Sequence, residues 1–132
     1  MTKIGPIHFD KVVIDCKDPV ALSDFYVSLL GWHKGYITDD FIIIGSDDCK
    51  VDIGFQRNED YVPPVWPEEA NKQQQMLHID FSMQHSKLQQ WIDYAVSLGA
   101  KKAAFQYAEA GDGAVMLDPE GHPFCFDVIY DT

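Results

Sequence analysis

The chain has 132 residues, of which 46% are hydrophobic and 13% aromatic, enough to fold as one domain around a core of its own. Its 21 acidic residues outnumber 10 basic ones, for a net charge of -11 at pH 7. That charge repels phosphate backbones and anionic lipid, which argues against nucleic-acid and membrane partners. The opening MTKIGPIHFDKVVID lacks the apolar run of a secretory signal, and no stretch of about 18 consecutive apolar residues occurs, so a soluble cytoplasmic protein is expected. Cys16, Cys49 and Cys125 are odd in number and lack CxxC spacing, which fits reduced and mostly buried thiols better than a disulfide framework or a zinc knuckle.

In chain order, FDKVVIDC alternates polar and apolar residues and predicts a strand. KDPVALSDFYVSLLGW follows with the marks of a helix. Asp18 suits the N-cap, Pro19 the first helical position and Gly31 the stop, while Leu22, Phe25, Tyr26 and Leu29 share one face. FIIIG and KVDIGFQ then read as strands. The segment 58–75, NEDYVPPVWPEEANKQQQ, holds three of the seven prolines and a glutamine run, and reads as a linker. A lid carrying Tyr61 and Trp66 is the alternative, since long loops are often functional.

The second half repeats the scheme. MLHIDFSM alternates, Ser86 is placed to cap a helix in which Leu88, Trp91, Ile92 and Ala95 form the core stripe, and Gly99 ends it. KKAAFQY, GAVML and PFCFDVI are the strand-like pieces that follow. The chain is thus read as strand, helix and about three strands, twice over: module 1 over 6–57, the linker, and module 2 over 76–130, together one domain over 1–132.

Strand side chains alternate faces, and the apolar set is expected to meet the helices. The opposite faces then carry Lys11, Val13 and Asp15 in the first strand; Asp52, Gly54 and Gln56 in KVDIGFQ; His78, Asp80 and Ser82 in the second module's first strand; and Cys125 and Asp127 in the last strand. These faces are unusually polar, and suit either a solvated sheet or a wet pocket. His122, in the Gly-His-Pro turn, reads as an exposed turn residue.

VVIDCKDPVALSDFYVSLLGW, LHIDFSM, WIDYAVSLGA and MLDPEGHPFCF together resemble the vicinal oxygen chelate superfamily, which includes glyoxalases, bleomycin-resistance proteins and extradiol dioxygenases. The likeness spans nearly the whole chain and is strongest to compact glyoxalase-like domains. It implies an α+β fold of two βαβββ modules whose curved mixed sheets surround a cleft. Metal-using members take ligands from the first and last strands of each module; carried over, those positions fall on Lys11, on a residue nearest Gln56, on His78 and on Cys125. Only His78 is a conventional ligand there, and the ammonium of Lys11 would repel a dication.

The resemblance therefore implies a small-molecule-binding protein, with a lyase or isomerase as its enzymatic form, acting on a polar or aromatic metabolite. His78 and Lys11 are the candidate catalytic residues, and Asp15, Asp52, Gln56, Asp80 and Cys125 the candidate substrate-binding ones. No metal site and no cofactor is assigned. A divalent metal held by a rearranged ligand set, in a lyase or dioxygenase, is one alternative, with His78 and Cys125 as half of a soft site and Asp80 or Asp52 completing it. A non-enzymatic binder that sequesters an antibiotic is another. A small-molecule ligand and a second copy of the chain are the expected partners.

Overall fold

The computed structural model describes residues 4–130. The chain divides into two compact units, the first running to Glu59 and the second starting at Asp60. Both follow the order strand, helix, three strands, and each forms an open four-stranded mixed sheet. This is the doubled βαβββ, α+β architecture expected from the sequence, with sheets that are open rather than curved.

In unit 1 the elements are β1 (Lys11–Cys16), α1 (Pro19–Leu30), β2 (His33–Ile37), β3 (Phe41–Ser46) and β4 (Cys49–Arg57). Their sheet order is β1-β4-β3-β2, with β1 parallel to β4 and the other pairs antiparallel. The Asp18 carboxylate accepts from the Ala21 N–H at 3.1 Å, capping α1 as anticipated. At the far end Gly31 takes φ +70° and donates to the Val27 carbonyl at 2.9 Å. Leu22, Phe25, Tyr26 and Leu29 are buried, and Tyr26 stacks on Phe55 of β4 with ring centroids 5.6 Å apart.

Strand β2 was not visible in the sequence. HKGYI has little apolar alternation, and its strand is made by pairing with β3 across a register shift between Lys34 and Tyr36. An ion pair from Lys34 to Asp24 of α1, at 2.7 Å, also holds it. Arg57 fastens the other end of the sheet, donating to the Asp40 carboxylate and to the carbonyls of Lys17 and Asp39.

Unit 2 contains β5 (Ile79–Gln84), α2 (Leu88–Ser97), β6 (Lys101–Lys102), β7 (Gly113–Leu117) and β8 (Pro123–Ile129), in the sheet order β5-β8-β7-β6. Three expectations need correction. Ser86 does not cap α2: it lies inside a 3₁₀ turn, His85–Lys87, and Lys87 precedes the helix without a side-chain cap. Trp91 is not core. Leu88, Ile92 and Ala95 form the buried seam, whereas Trp91, about 60° round the helix from Leu88, is 36% exposed and packs edge-on against Tyr94.

The third correction concerns KKAAFQY, which forms a strand only at Lys101–Lys102. Beyond it the Gln106 side-chain amide does a strand's work. It accepts from the Val115 N–H at 2.7 Å and donates to the Val115 carbonyl at 2.8 Å, satisfying the outer edge of β7 without extended backbone.

The proline-rich segment packs on unit 2. Tyr61 donates its hydroxyl to the Glu120 carbonyl at 2.9 Å and stacks on His122. Trp66 donates from its indole nitrogen to the Phe105 carbonyl at 3.0 Å and meets Tyr107 edge-on. Among the described residues no helix is long and apolar enough to cross a membrane.

The apolar side of the second sheet rests on Phe124 and Phe126, each 1% exposed and packed edge to face at 5.4 Å. Truncating such a ring removes its transfer free energy and leaves a cavity, which costs roughly 3–5 kcal/mol. Phe126→Ala is expected to lower the urea midpoint by a corresponding amount, followed by far-ultraviolet circular dichroism. A loss under about 1 kcal/mol would contradict the core described for unit 2.

Candidate functional site

The pairing of β5 with β8 brings the candidate residues of unit 2 together. The two strands are parallel, with Phe81 opposite Phe126 and Ile79 opposite Phe124 on the buried side. On the other side Asp80 lies opposite Cys125, and Ser82 opposite Asp127. Neighbouring strands run about 4.8 Å apart, so side chains at matched positions on one face are obliged to meet. His78 stands one residue ahead of β5 and, two residues before Asp80, on the same face.

The resulting cluster is compact. His78 Nε2 lies 3.0 Å from Asp80 Oδ1, and both side chains are partly open to solvent, at 40% and 47%. One donor atom each from His78, Asp80 and Cys125 lies within 4.8 Å of the other two. Burial pushes the Cys125 thiol up to about 12, reinforced by the charge of Asp80, by a hydrogen bond to that carboxylate and by the charge of Asp127. Asp127 is likewise raised, first by partial burial and then by the charge of Asp80 and a hydrogen bond with it, with His78 acting in the opposite sense. Two carboxylates and a thiol on one patch repel one another's negative forms, and protons are retained to relieve this.

The donor set can be compared with what a divalent ion needs. Ligand atoms around tetrahedral zinc sit roughly 3.3–3.8 Å apart. The three donor atoms lie within 4.8 Å of one another, about 1 Å beyond that spacing at most. An imidazole, a carboxylate and a thiol are ligand types that such ions accept. His78, Asp80 and Cys125 therefore fit a metal.

The remaining sequence candidates lie in unit 1. Lys11 pairs with Asp10, and its stem passes over Gly54, where a Cβ would stand 3.6 Å from Lys11 Cδ. Asp15 accepts from Gln56 Nε2 at 3.4 Å and from Asn58 Nδ2 at 3.1 Å. Asp52 lies against the bare backbone of Gly45, where a Cβ would come within 2.5 Å of its Oδ1. His33, Gly35, Gly45, Asp47 and Asp52 line a depression of about 240 Å³ on this sheet.

The register also revises the correspondence between modules. Val13 opposite Gly54 in unit 1 occupies the place of Asp80 opposite Cys125 in unit 2, because the buried pairs beside them, Ile14 with Phe55 and Phe81 with Phe126, match. The counterpart of Cys125 is thus Gly54, with Gln56 two residues beyond it, and Lys11 remains the counterpart of His78.

Two residues carry more than the sequence reading gave them. Asp127 joins the Asp80–Cys125 group; it could be placed on that face from strand alternation, but its coupling to Asp80 follows from a pairing that the sequence does not state. His122 is not an exposed turn residue. Its side chain is 16% exposed, and its Nδ1 lies 2.8 Å from the wholly buried Asp118 carboxylate, which also accepts from the N–H groups of Glu120 and His122. The carboxylate needs these partners to be tolerated inside, and the five-residue span from Asp118 to His122 closes the turn ahead of β8. The Asp and His four apart in LDPEGHP were the available signal.

A family model described as a glyoxalase-like domain matches residues 11–126. No curated protein matches the sequence. Among solved structures, a glyoxalase/bleomycin resistance protein/dioxygenase family enzyme from Burkholderia phytofirmans PsJN is 19% identical, covering 93% of this chain and 99% of its own, with a TM-score of 0.71. A glyoxalase/bleomycin resistance protein from Albidiferax ferrireducens T118 is 15% identical over 94% and 98% of the two chains, with a TM-score of 0.64. A point mutant of the fosfomycin resistance protein FosX from Listeria monocytogenes, complexed with Mn(II) and 1S,2S-dihydroxypropylphosphonic acid, is 13% identical over 96% and 90%, with a TM-score of 0.65. At these identities the solved structures establish the shared fold, and the match to the family model carries the assignment: the chain belongs to the glyoxalase-like domain family of the vicinal oxygen chelate superfamily.

Proposed function

We propose that this protein binds a small polar metabolite on the His78–Asp80–Cys125–Asp127 face of unit 2 and that His78 moves a proton at the bound ligand, the chemistry of a lyase or isomerase. The observation that carries this reading is the 3.0 Å contact between His78 Nε2 and Asp80. A carboxylate on one imidazole nitrogen orients the ring, while the other nitrogen faces a potential ligand. His78 is the single side chain of the four that can carry positive charge, and two of the others are carboxylates. The expected ligand is therefore a hydroxylated, carbonyl or amine compound rather than a bare dianion.

The retained proton on Cys125 argues against thiolate nucleophilic catalysis. Nucleophilicity resides in the thiolate, and a thiol at about 12 is ionised to roughly one part in 10,000 at pH 8. Cys125 instead offers a weakly acidic S–H to the ligand or to Asp80.

A second reading is favoured by the fit of His78, Asp80 and Cys125 to a divalent ion. A metal bound there supplies Lewis-acid polarisation of a ligand oxygen. In that case Asp127 steadies Asp80 by hydrogen bonding, and proton transfer falls to other groups, because His78 is then a ligand.

Two outcomes are expected. Incubated in D₂O with a panel of small hydroxy-carbonyl and amino-carbonyl compounds, the protein should promote deuterium incorporation into at least one of them, detected by proton NMR. His78→Ala should lose that exchange by at least a hundredfold, within the range a general base supplies. Exchange unchanged in His78→Ala would remove His78 from the chemistry. Separately, alkylation of Cys125 by iodoacetamide, followed by peptide mass spectrometry, should still be accelerating above pH 10. Asp80→Asn removes the adjacent negative charge, lowers the thiol and should speed alkylation severalfold at pH 8. A rate that levels off near neutrality would mean the thiolate forms readily.

A further inference from the structure

We propose that Trp66, Phe105 and Tyr107 form a seat for a quaternary ammonium group, in which a positive charge is spread over methyl groups. The site goes beyond the proton-transfer reading and is independent of it. All three rings belong to unit 2, but Phe105 and Tyr107 flank Gln106, which bonds the outer side of β7, whereas His78 and Asp80 lie at β5, the opposite edge of the sheet.

The rings stand steeply to one another. Trp66 and Tyr107 meet at 86° with centroids 5.3 Å apart, Phe105 and Tyr107 at 87° and 5.2 Å, and Trp66 and Phe105 at 61° and 6.3 Å. No two are parallel, so their faces look in different directions around a common corner. Each face is the negative end of the ring quadrupole and attracts a cation within about 6 Å of the centroid. With the centroids this close together, one cation at the corner comes within that range of all three.

The cluster is exposed and yet held. Tyr107 is 72% and Phe105 44% exposed, and aromatic groups gathered in water mark a binding surface in a way that scattered ones do not. Their backbone is fixed by polar bonds rather than by core packing. The Gln106 side-chain amide donates to the carbonyls of Ala103 and Val115 and accepts from the Val115 N–H. Trp66 is tied to the Phe105 carbonyl through its indole nitrogen, and the Val65 N–H donates to the Gln73 carbonyl at 3.0 Å. A ligand therefore meets rings already positioned, and little ordering entropy remains to be lost when it binds.

Charge and hydrogen-bonding chemistry choose the occupant. The chain carries a net charge of -11, which draws cations to its surface and turns anions away. A primary ammonium brings three N–H donors, and ring faces give them no acceptor of ordinary strength, so its desolvation is poorly repaid. A quaternary ammonium has no donor to satisfy, and its methyl groups suit a wall of ring carbon while its charge suits the ring faces.

The test is a proton NMR titration of the purified full-length protein with choline and, in parallel, with 3,3-dimethylbutan-1-ol, which has the same shape with carbon in place of the charged nitrogen. Choline is expected to bind at least about tenfold more tightly than the alcohol, with its methyl protons shifted upfield by the rings. Tyr107→Ala, a change at an exposed side chain, should weaken choline at least about threefold, the loss of one cation–π contact. Tyr107→Phe keeps a ring and should retain binding, and far-ultraviolet circular dichroism should show both variants folded. n-Butylammonium should bind more weakly than choline. Equal affinity for choline and the alcohol would overturn the cationic ligand and leave an apolar patch. Tighter binding of n-butylammonium would overturn the quaternary class. Choline affinity unchanged in both Tyr107→Ala and Phe105→Ala would place its site elsewhere, and no binding of choline at all would sink the proposal. None of these outcomes bears on deuterium exchange at His78, which is measured separately.

Discussion

In each unit the first strand pairs in parallel with the last, although a helix and two strands separate them in sequence. Parallel partners need such a crossover, and the helix that supplies it also covers the apolar side of the sheet. In unit 2 this leaves Phe81, Phe124 and Phe126 on the covered side and delivers His78, Asp80, Cys125 and Asp127 to the other. A slip of one residue along the ladder would exchange the two faces, placing carboxylates in the core and phenylalanine rings outside. The hydrophobic pattern thus enforces the register, and the register places the polar groups.

The electrostatic state of the site follows from that constraint. Nothing in the packing of unit 2 requires two aspartates and a thiol to share a patch, and their proximity is unfavourable when all are ionised. Burial raises the Cys125 thiol and the Asp127 carboxyl first, and the charge of Asp80 adds to both shifts. Retained protons relieve the repulsion, and cationic groups act in the same sense. The overall charge of -11 acts in the same direction, raising the local concentration of cations and lowering that of anions.

Much of the fold was legible in the sequence because its signals are local. Asp18, Pro19 and Gly31 mark the ends of α1 by chemistry that acts within one helical turn, and GAVML and PFCFDVI match β7 and β8 residue for residue. The features that were missed depend on distant partners. HKGYI becomes a strand because β3 is beside it, and KKAAFQY does not extend as one because Gln106 turns its amide back onto Val115. His122 is held half-buried by partners that include Asp118 and the ring of Tyr61. For the candidate site, alternation places His78, Asp80, Cys125 and Asp127 on one face, but which stands opposite which is a matter of register, so the counterpart of Cys125 falls nearest Gln56 in the sequence and on Gly54 in the sheet.

The two halves differ at that position. With Gly54 facing Val13, unit 1 has no side chain at the position where unit 2 carries a thiol, and the space is taken instead by Phe41, Val13 and the stem of Lys11, which lie 3.1, 3.3 and 3.6 Å from where a Cβ would stand. A donor of any kind at residue 54 would therefore have to displace packed atoms before it could reach a ligand. The equivalent positions of the two sheets are occupied differently: in unit 1 the space beside Gly54 is taken by its neighbours, and in unit 2 the pair is Asp80 with Cys125. The repeated backbone supplies the same register twice, and a glycine in one copy stands where the other carries a cysteine, so the same fold presents packed carbon on one sheet and a polar face on the other.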